Sequence, residues 1–481
     1  TNRINSKQSL NKSCRIFDDN MPLIKSISGI RGTIGSKKNE NLTPEDIKSF
    51  TAAFGEWVKS KTDNTLVEIV VGRDARKSGK MINSIVNNTL ISLGINVVDL
   101  GLSTTPTVEM MVLSEKAQGG IVITASHNPK EWNALKFLNN KGECLSANSI
   151  LDVINRSESI SVNFPKINEL GSVIKVDNAI DIHISSILNL SIINSKLIRN
   201  QKYKVVVDAV NSSGGIAIPK ILSLFQIEVI KINCKPDGNF SHNPEPLEEN
   251  LKDLAKEVKN QKADFGIAVD PDVDRLAFID EKGSYFGEEY TLVACADYVL
   301  SKKSGNTVSN LSSTIALSDV TKKHNGTHYS SKVGEVNVVE EMKRTNAVIG
   351  GEGNGGVIYP DLHYGRDALV GVALFLSLIA ERNIKVSELK SSYPLYFMCK
   401  QKINLDSKID IESIFTSLKK KFNSFKIITI DGIKIYFKDS WIHLRKSNTE
   451  SIIRIISEGK SKNIAEKIAK AFVEEINKKM D

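Results

Sequence analysis

Gly119, Gly120, Ile121, Val122, Ile123, Thr124, Ala125, Ser126, His127, Asn128 and Pro129 read as a short apolar strand, entered through two glycines, that ends in a polar loop. Loops held by a rigid sheet are where catalytic groups collect. Pro129 removes a backbone donor and biases Asn128 toward extended backbone, so the turn after Ser126 stays open instead of running into a helix. A serine presented in this way has the position of a nucleophile. Taken alone it reads as a capping or turn residue, so its meaning depends on the rest of the chain.

Outward from that strand, helices and strands alternate. Thr43 followed by Pro44, Glu45 and Asp46 predicts an N-cap with proline in the first turn, and Ile47, Phe50, Phe54, Trp57 and Val58 then share one helical face. A strand is expected over 67–71, a helix over 79–93, a strand over 97–100 and a helix from Thr105. The rhythm repeats with strands over 204–207, 227–232 and 265–269 around helices, the second of these helices running from Glu245 to about Asn260. A third round carries helices over 288–302, 335–344 and 367–382. The last ninety or so residues change character, with strands over 425–430, 433–437 and 452–456 closed by a helix over 463–478. Alternating strands and helices imply layered α/β architecture. The expected fold is therefore three consecutive α/β mixed-sheet domains plus a smaller C-terminal α+β domain around a central cleft. The boundaries are placed at 21–170, 171–283, 284–392 and 393–481, after a disordered lead or extension over 1–20.

Length and composition agree. A chain of 481 residues is too long for one ordinary core, and roughly three or four domains are expected. With 25% charged and 41% hydrophobic residues it has a globular profile, and the net charge of +8 is spread along the chain. That balance favours anionic small molecules; no clustered basic stripe or binding motif points to nucleic acid. Five cysteines, odd in number and without C-x-x-C spacing, are expected as reduced thiols in a cytoplasm. The longest apolar run, 368–380, is too short to cross a bilayer and reads as a buried helix, so no membrane partner is expected. The first twenty residues lack the apolar segment of a signal peptide.

A second chemical stretch, Asp270, Pro271, Asp272, Val273, Asp274 and Arg275, follows the strand expected over 265–269. Alternate residues of an extended chain point the same way, so three carboxylates converge. Three like charges that close raise one another's pKa unless a cation sits among them, and all-oxygen ligands suit Mg²⁺. An EF-hand would also want Asp270, Asp272, Asp274 and Glu281, but it needs glycine where Arg275 stands. A haloacid-dehalogenase-like phosphatase would use Asp270 as nucleophile, yet Asp274 departs from its pattern and its other motifs are missing.

Gly350, Gly351, Glu352, Gly353, Asn354, Gly355 and Gly356 form a third stretch, whose backbone can approach a ligand closely and whose carboxylate and amide suit sugar hydroxyls. It is not a Walker loop, because no G-K-[ST] follows. The fourth, Arg445, Lys446, Ser447, Asn448, Thr449, Glu450 and Ser451 with Arg454 beyond, offers the donor-rich nest that a phosphate dianion wants.

Together these four stretches resemble the α-D-phosphohexomutase family, in the family's order, from about Leu23 to the C-terminus. The pattern T-[AG]-S-H-N-P matches at Thr124 to Pro129, which implies that Ser126 is the phosphorylated nucleophile with His127 beside it. N-G-x-K appears as Asn133, Ala134, Leu135 and Lys136, so the resemblance makes Lys136 an acid/base whose pKa is expected to be lowered. Gly29 to Gly32 match G-I-R-G and make Arg31 the arginine that reaches the phosphoserine. Gly72, Arg73, Asp74, Arg76, Ser78 and Gly79 match G-R-D-x-R-x-S-G. Asp270, Asp272 and Asp274, with Ser126, match the metal loop for one Mg²⁺, completed by Arg275. Lys332, Val333 and Gly334 resemble the short K-V-G element ahead of the sugar loop.

Two departures stand out. The sugar loop of many members reads G-E-x-S-G-H; here Glu352 is kept, Asn354 replaces the serine, and Gly356 replaces the histidine, for which His363 or a water is the candidate substitute. The phosphate loop usually reads R-x-S-[GN]-T-E-P, and Ser451 replaces the proline. These loops resemble the phosphoglucosamine mutase branch more than the phosphomannomutase/phosphoglucomutase branch. The resemblance implies interconversion of a hexosamine 6-phosphate and 1-phosphate through phosphoserine, with glucose or glucosamine 1,6-bisphosphate as primer. Arg275, Lys332, Gly334, Glu352 and Asn354 would face the sugar phosphate, and Arg445, Ser447, Asn448, Thr449 and Arg454 would hold its far phosphate. Small-molecule sugar phosphates are the expected partners and a monomer or homodimer the expected state. An inactive sugar-phosphate-binding homologue is the alternative that the missing histidine keeps open.

Overall fold

The structure, a computed structural model, describes residues 23–159, 165–404, 410–447 and 452–480. The lead over 1–20 thus lies outside the described residues.

The first sheet has seven strands: β1 (Ile24–Ser26), β2 (Gly29–Thr33), β3 (Glu68–Arg73), β4 (Asn96–Leu102), β5 (Gly119–Ile123), β6 (Trp132–Leu138) and β7 (Val173–Lys175). Their order is β1-β2-β6-β5-β3-β4-β7. The centre, β5-β3-β4, is parallel, while β6 pairs antiparallel with β5 and β2. Helices α1 (Pro44–Lys59), α2 (Gly79–Ser92), α3 (Thr105–Ser114) and α4 (Ala147–Ser159) belong to this domain. Thr43 caps α1 as the sequence predicts, accepting from the Asp46 amide while the Asp46 carboxylate takes the Thr43 amide. The boundary expected at 170 falls too early, because β7 pairs in parallel with β4 and so belongs to the first sheet. Three exposed residues carry no periodicity that would announce such a strand.

The second unit contains α5 (Ala179–Leu188), α6 (Ser195–Gln201), β8 (Lys204–Asp208), α7 (Gly214–Leu224), β9 (Glu228–Ile232), α8 (Lys252–Asn260), β10 (Phe265–Val269) and β11 (Leu276–Asp280), with sheet order β11-β10-β8-β9. Helix α8 starts later than the expected Glu245. The segment through Leu247 is irregular, a 3₁₀ turn covers Glu248–Asn250, and the Glu245 carboxylate accepts from Arg275 at 2.8 Å.

The third unit runs through α9 (Glu288–Lys302), β12 (Asn306–Asn310), α10 (Ala316–Lys323), β13 (His328–Ser331), α11 (Glu335–Thr345), β14 (Ala347–Glu352), β15 (Gly356–Ile358), α12 (Ala368–Arg382) and α13 (Val386–Ser391), with sheet order β13-β12-β14-β15. Helix α12 is buried from Ala368 to Ala380. It joins the cores of the second and third units: Phe375 stacks on Phe278 with ring centroids 3.7 Å apart, and Ile184, Ile198 and Leu292 lie in the same apolar cluster. Two sheets that share a core hold their loops in fixed relation.

The last unit is an antiparallel sheet, β16-β20-β19-β18-β17, built from β16 (Phe397–Asn404), β17 (Lys426–Ile428), β18 (Ile433–Tyr436), β19 (Trp441–Lys446) and β20 (Ile452–Gly459), and covered by α14 (Ile411–Lys421) and α15 (Lys462–Met480). Its core is separate. It meets the third unit through polar groups. Lys434 Nζ donates to the Leu311 carbonyl at 2.6 Å, and the Ile315 amide donates to Glu458 at 3.0 Å. Among the described residues no helix is long and apolar enough to cross a membrane.

Candidate active site

The loop after β5 is fixed from below by Arg76. This buried arginine pairs with Asp74 at 3.0 Å and donates to the carbonyls of Ser126, Asn128, Pro129 and Trp132 at 2.5–2.9 Å. Thr124 completes the cradle, donating to Asp74 at 2.7 Å while its hydroxyl accepts the Ser126 amide at 2.9 Å. Ser126 is held at φ +47°, a left-handed conformation that a non-glycine residue adopts only under constraint.

Facing it is the loop between β10 and β11. Val273, buried and β-branched, sits at φ +65°, and the amides of Asp274 and Arg275 both donate to Asp270 Oδ1 at 3.1 Å. Ser126 Oγ donates to Asp270 Oδ2 at 2.6 Å and lies 3.5 Å from Asp274 Oδ1. Lys136, on β6, reaches the same carboxylates, with Nζ 2.7 Å from Asp272 and 3.6 Å from Asp274. Thr105, at the start of α3, donates to Asp272 at 2.6 Å. The structure thus brings Ser126, Lys136 and the three aspartates together from two domains.

Burial pushes the Asp270 carboxyl well above the usual range, and Asp274 and Asp272 add to the push. Asp272 goes the other way: burial would raise it, but Lys136 and its hydrogen bonds hold it low. The expected lowering of Lys136 is reversed. Burial does work to lower it, but Asp272 and Asp274 together outweigh burial and the ammonium is held charged.

Ligand oxygens of Asp270, Asp272 and Asp274 lie within 4.8 Å of one another, and Asp272 Oδ1 is buried without a hydrogen-bond partner. Three buried carboxylates beside a serine hydroxyl form an all-oxygen set that fits a hard divalent cation such as Mg²⁺. The EF-hand reading does not hold, because Glu281 turns away to bond the Ser387 amide and hydroxyl.

Cationic groups ring the pair of loops. Arg31 donates to Asn128 Oδ1 at 3.1 Å. Arg275 is held by Glu245 and lies 3.9 Å from Asp274. Burial, then Arg275, Arg31 and Arg366, keep the His127 imidazole far below its usual pKa, so it stands neutral with Nδ1 3.4 Å from Ser126 Oγ.

The glycine loop between β14 and β15 presents Glu352, whose Oε1 accepts from Asn310 at 2.9 Å and from the Gly334 amide at 3.0 Å. Burial would neutralise it, but Arg366 and these donors keep it ionised. Asn354 Oδ1 accepts the Gly356 amide at 3.1 Å and closes the loop. Lys332 is exposed just ahead, and the Val333 amide donates to Asp431 of the last unit at 2.9 Å. Arg445 on β19 stands opposite Arg454 on β20, and burial lowers its pKa while Asp431 and Glu352 oppose the shift. The Ser447 amide donates to the Ile452 carbonyl at 2.9 Å. Asn448 and Thr449 lie outside the described residues.

His363 does not take the place of the missing histidine. It is buried between Glu109 and Asp367, at 3.3 Å from each, with its ring against His183. The residue that sequence reasoning missed is Arg366, which bonds Asp274 at 2.6 Å and Glu352 at 3.2 Å. Its one sequence signal is its place before Asp367, the N-cap of the apolar α12.

Models of the phosphoglucomutase/phosphomannomutase family match in sequence order: α/β/α domains I, II and III over 24–162, 181–283 and 287–396, and the C-terminal domain over 402–475. A phosphoglucomutase/phosphomannomutase of Thermococcus kodakarensis is 37% identical over 441 residues, covering 91% of this chain and 94% of its own. A phosphoglucosamine/phosphogalactosamine mutase of Sulfurisphaera tokodaii is 34% identical over 446 residues, covering 91% and 95%. The solved structure of a phosphoglucomutase/phosphomannomutase family protein from Burkholderia thailandensis superposes with a TM-score of 0.82 at 26% identity, covering 96% of this chain and 98% of its own.

Proposed function

The chain belongs to the phosphoglucomutase/phosphomannomutase family of α-D-phosphohexomutases, and from that membership we infer that it interconverts hexosamine 6-phosphate and 1-phosphate, with glucosamine phosphate as the preferred substrate. It is an intramolecular phosphotransferase. The observation that carries the reading is the 2.6 Å approach of Ser126 Oγ to Asp270, with Lys136 on the neighbouring Asp272.

Phosphoryl transfer passes through a loose in-line transition state, so the work of the protein is placement and charge compensation. Ser126, fixed by the Arg76 cradle, carries the phosphoryl group. Asp270, Asp272 and Asp274, with a phosphate oxygen on Ser126, would hold Mg²⁺, which when bound supplies positive charge to offset the transferring group. Arg31 adds positive field from the other side of the loop. Lys136, charged at Nζ, gives its proton to the oxygen that leaves and takes up the proton that the attacking hydroxyl releases, so the ammonium is restored after each transfer. His127, neutral, orients the serine oxygen.

The sugar lies between this centre and the glycine loop. Glu352, Asn354, Lys332 and Gly334 meet hydroxyls or the amino group, and Arg275 meets the reacting phosphate. Arg445, Ser447, Asn448, Thr449 and Arg454 hold the phosphate that does not react, so that its binding offsets the cost of orientation at the other end. Each cycle forms a 1,6-bisphosphate that must turn over within the site, and glucose or glucosamine 1,6-bisphosphate is the expected primer. A last domain with its own core and a polar attachment suits the required opening.

Glucosamine is favoured by the G-E-G-N-G-G loop and by the relative named a phosphoglucosamine/phosphogalactosamine mutase. Glucose and mannose phosphates are the second reading, favoured by the relative named phosphoglucomutase/phosphomannomutase. Kinetics on the three sugar phosphates side by side, with trace bisphosphate, test the order. A kcat/KM for glucosamine phosphate below those for the other two would reverse it.

A further inference from the structure

A Cβ built on Gly356 would lie 2.4 Å from Cδ of Arg366 and 3.0 Å from its Cγ. The volume that a side chain at 356 would fill is already taken by the shaft of an arginine that returns from the start of α12. Its guanidinium is buried, and each of its three nitrogens meets a different carboxylate. Nη2 bonds Asp274 at 2.6 Å, Nε bonds Glu335 at 2.9 Å, and Nη1 lies 3.2 Å from Glu352. Those carboxylates come from the loop after β10, the first turn of α11 and the end of β14. Asp367, the next residue, caps α12 with two amide bonds at 2.7 and 3.2 Å. The arginine is thus anchored to the most buried helix of the shared core.

A rigid planar fork is the side chain suited to hold several carboxylates at set angles, and in proteins it does not give up its proton. Glu352 remains ionised chiefly because Arg366 faces it. Without that cation, Asp274 would keep Lys136 and Arg275 at 3.6 and 3.9 Å, but no one group would join it to Glu335 and Glu352.

We propose that Arg366 is the positioning residue that locks the glycine loop to the aspartate loop, and that position 356 is glycine in order to admit it. The inference rests on the mutase reading. Arg366 supplies fixed charge and geometry and never a proton, so the sugar hydroxyl bound at Glu352 and the phosphoryl group beside Asp274 keep one distance through the cycle. Proton transfer is left to Lys136.

The test compares wild type, Arg366→Ala, Arg366→Lys, Gly356→Ala and the Gly356→Ala/Arg366→Ala double variant by mutase kinetics and thermal melting. Arg366→Ala is expected to lower kcat by ~100-fold, the scale of a small misplacement at a transfer site. Millimolar guanidinium should restore part of that kcat, saturably, in Arg366→Ala and not in wild type. Arg366→Lys, a point charge that cannot span three carboxylates, should recover less than full activity. Gly356→Ala should lose activity by displacing the arginine, yet cost less than about twofold more in the Arg366→Ala background. Arg366→Ala activity within about twofold of wild type, absence of guanidinium rescue in a folded variant, or independent, multiplying losses at 356 and 366 would each overturn the proposal. Should Arg366→Ala fail to fold, the kcat of Arg366→Lys and Gly356→Ala decides: wild-type values in both would overturn it. Wild-type turnover is measured alongside, so its absence would speak against the mutase reading, whereas losses confined to the variants speak for Arg366.

Discussion

Ser126 Oγ and Asp270 Oδ2 lie 2.6 Å apart although 144 residues separate them in the chain. Two loops from different domains, each with a non-glycine residue forced into left-handed backbone, are pressed together at that contact. The first expectation follows from the charges there. Lys136 bonds Asp272 and Arg366 bonds Asp274, while burial and those two carboxylates push the Asp270 carboxyl up, so Mg²⁺ should raise the melting midpoint of EDTA-treated protein and restore its turnover. A midpoint and a rate both indifferent to Mg²⁺ would remove the metal loop from the account.

The Arg76 cradle should be structural as well as functional. Arg76 and Asp74 have fully buried side chains, and removing one partner of such a pair costs about 3–5 kcal/mol. Arg76→Ala is therefore expected to lose about that much in denaturant unfolding, and to lose turnover even below its transition, because four loop carbonyls lose their donor. A loss under about 1 kcal/mol would mean that the loop holds itself.

Stability should fall on the alkaline side. Burial raises Glu109 from 4.5 to about 8. For His363 burial lowers the pKa, but Asp367 and Glu109 outweigh it and raise it from 6.5 to about 10. Both groups bind protons more tightly folded than unfolded, so stability declines as pH rises, from 4.5 to about 8 for Glu109 and through the window from 6.5 to about 10 for His363. His363→Gln should flatten the slope of unfolding free energy against pH across that window. An unchanged slope would show that the Glu109–His363–Asp367 cluster does not titrate as its contacts imply.

At the far end of the cleft, Arg445 should act on binding. If Arg445 gives the proposed charge-assisted hydrogen bond to the phosphate, Arg445→Ala should lose roughly 1.5–3 kcal/mol of binding and raise KM more than it lowers kcat. A variant with unchanged KM and a depressed kcat would move Arg445 from substrate holding to the transfer step.

Much of this was legible in the chain because chemistry and backbone punctuation coincide in short runs. Gly119 to Pro129 announces strand, loop and serine within one stretch, and Asp270 to Arg275 places three acids at alternate positions. Arg366 escaped notice for the opposite reason: Asp274, Glu335 and Glu352 are scattered, and only folding brings them to one guanidinium. The lowered pKa expected for Lys136 follows from the acid/base role that the resemblance implies, while the two carboxylates that reverse the shift come from another domain. Helix α8 does not reach back to Glu245 because that residue stands between Pro244 and Pro246, which disfavour helix, and a tertiary ion pair with Arg275 holds its side chain. Strand β7 is too short and too exposed to leave a pattern.

The most direct test of the serine relay is to incubate the protein with hexose 1,6-bisphosphate and Mg²⁺, digest it, and locate the phosphate by mass spectrometry, with Ser126→Ala in parallel. The phosphate is expected on Ser126, and the folded Ser126→Ala protein should carry none and turn over no substrate. A phosphate on Asp270, or a Ser126→Ala protein that still interconverts sugar phosphates, would contradict the account.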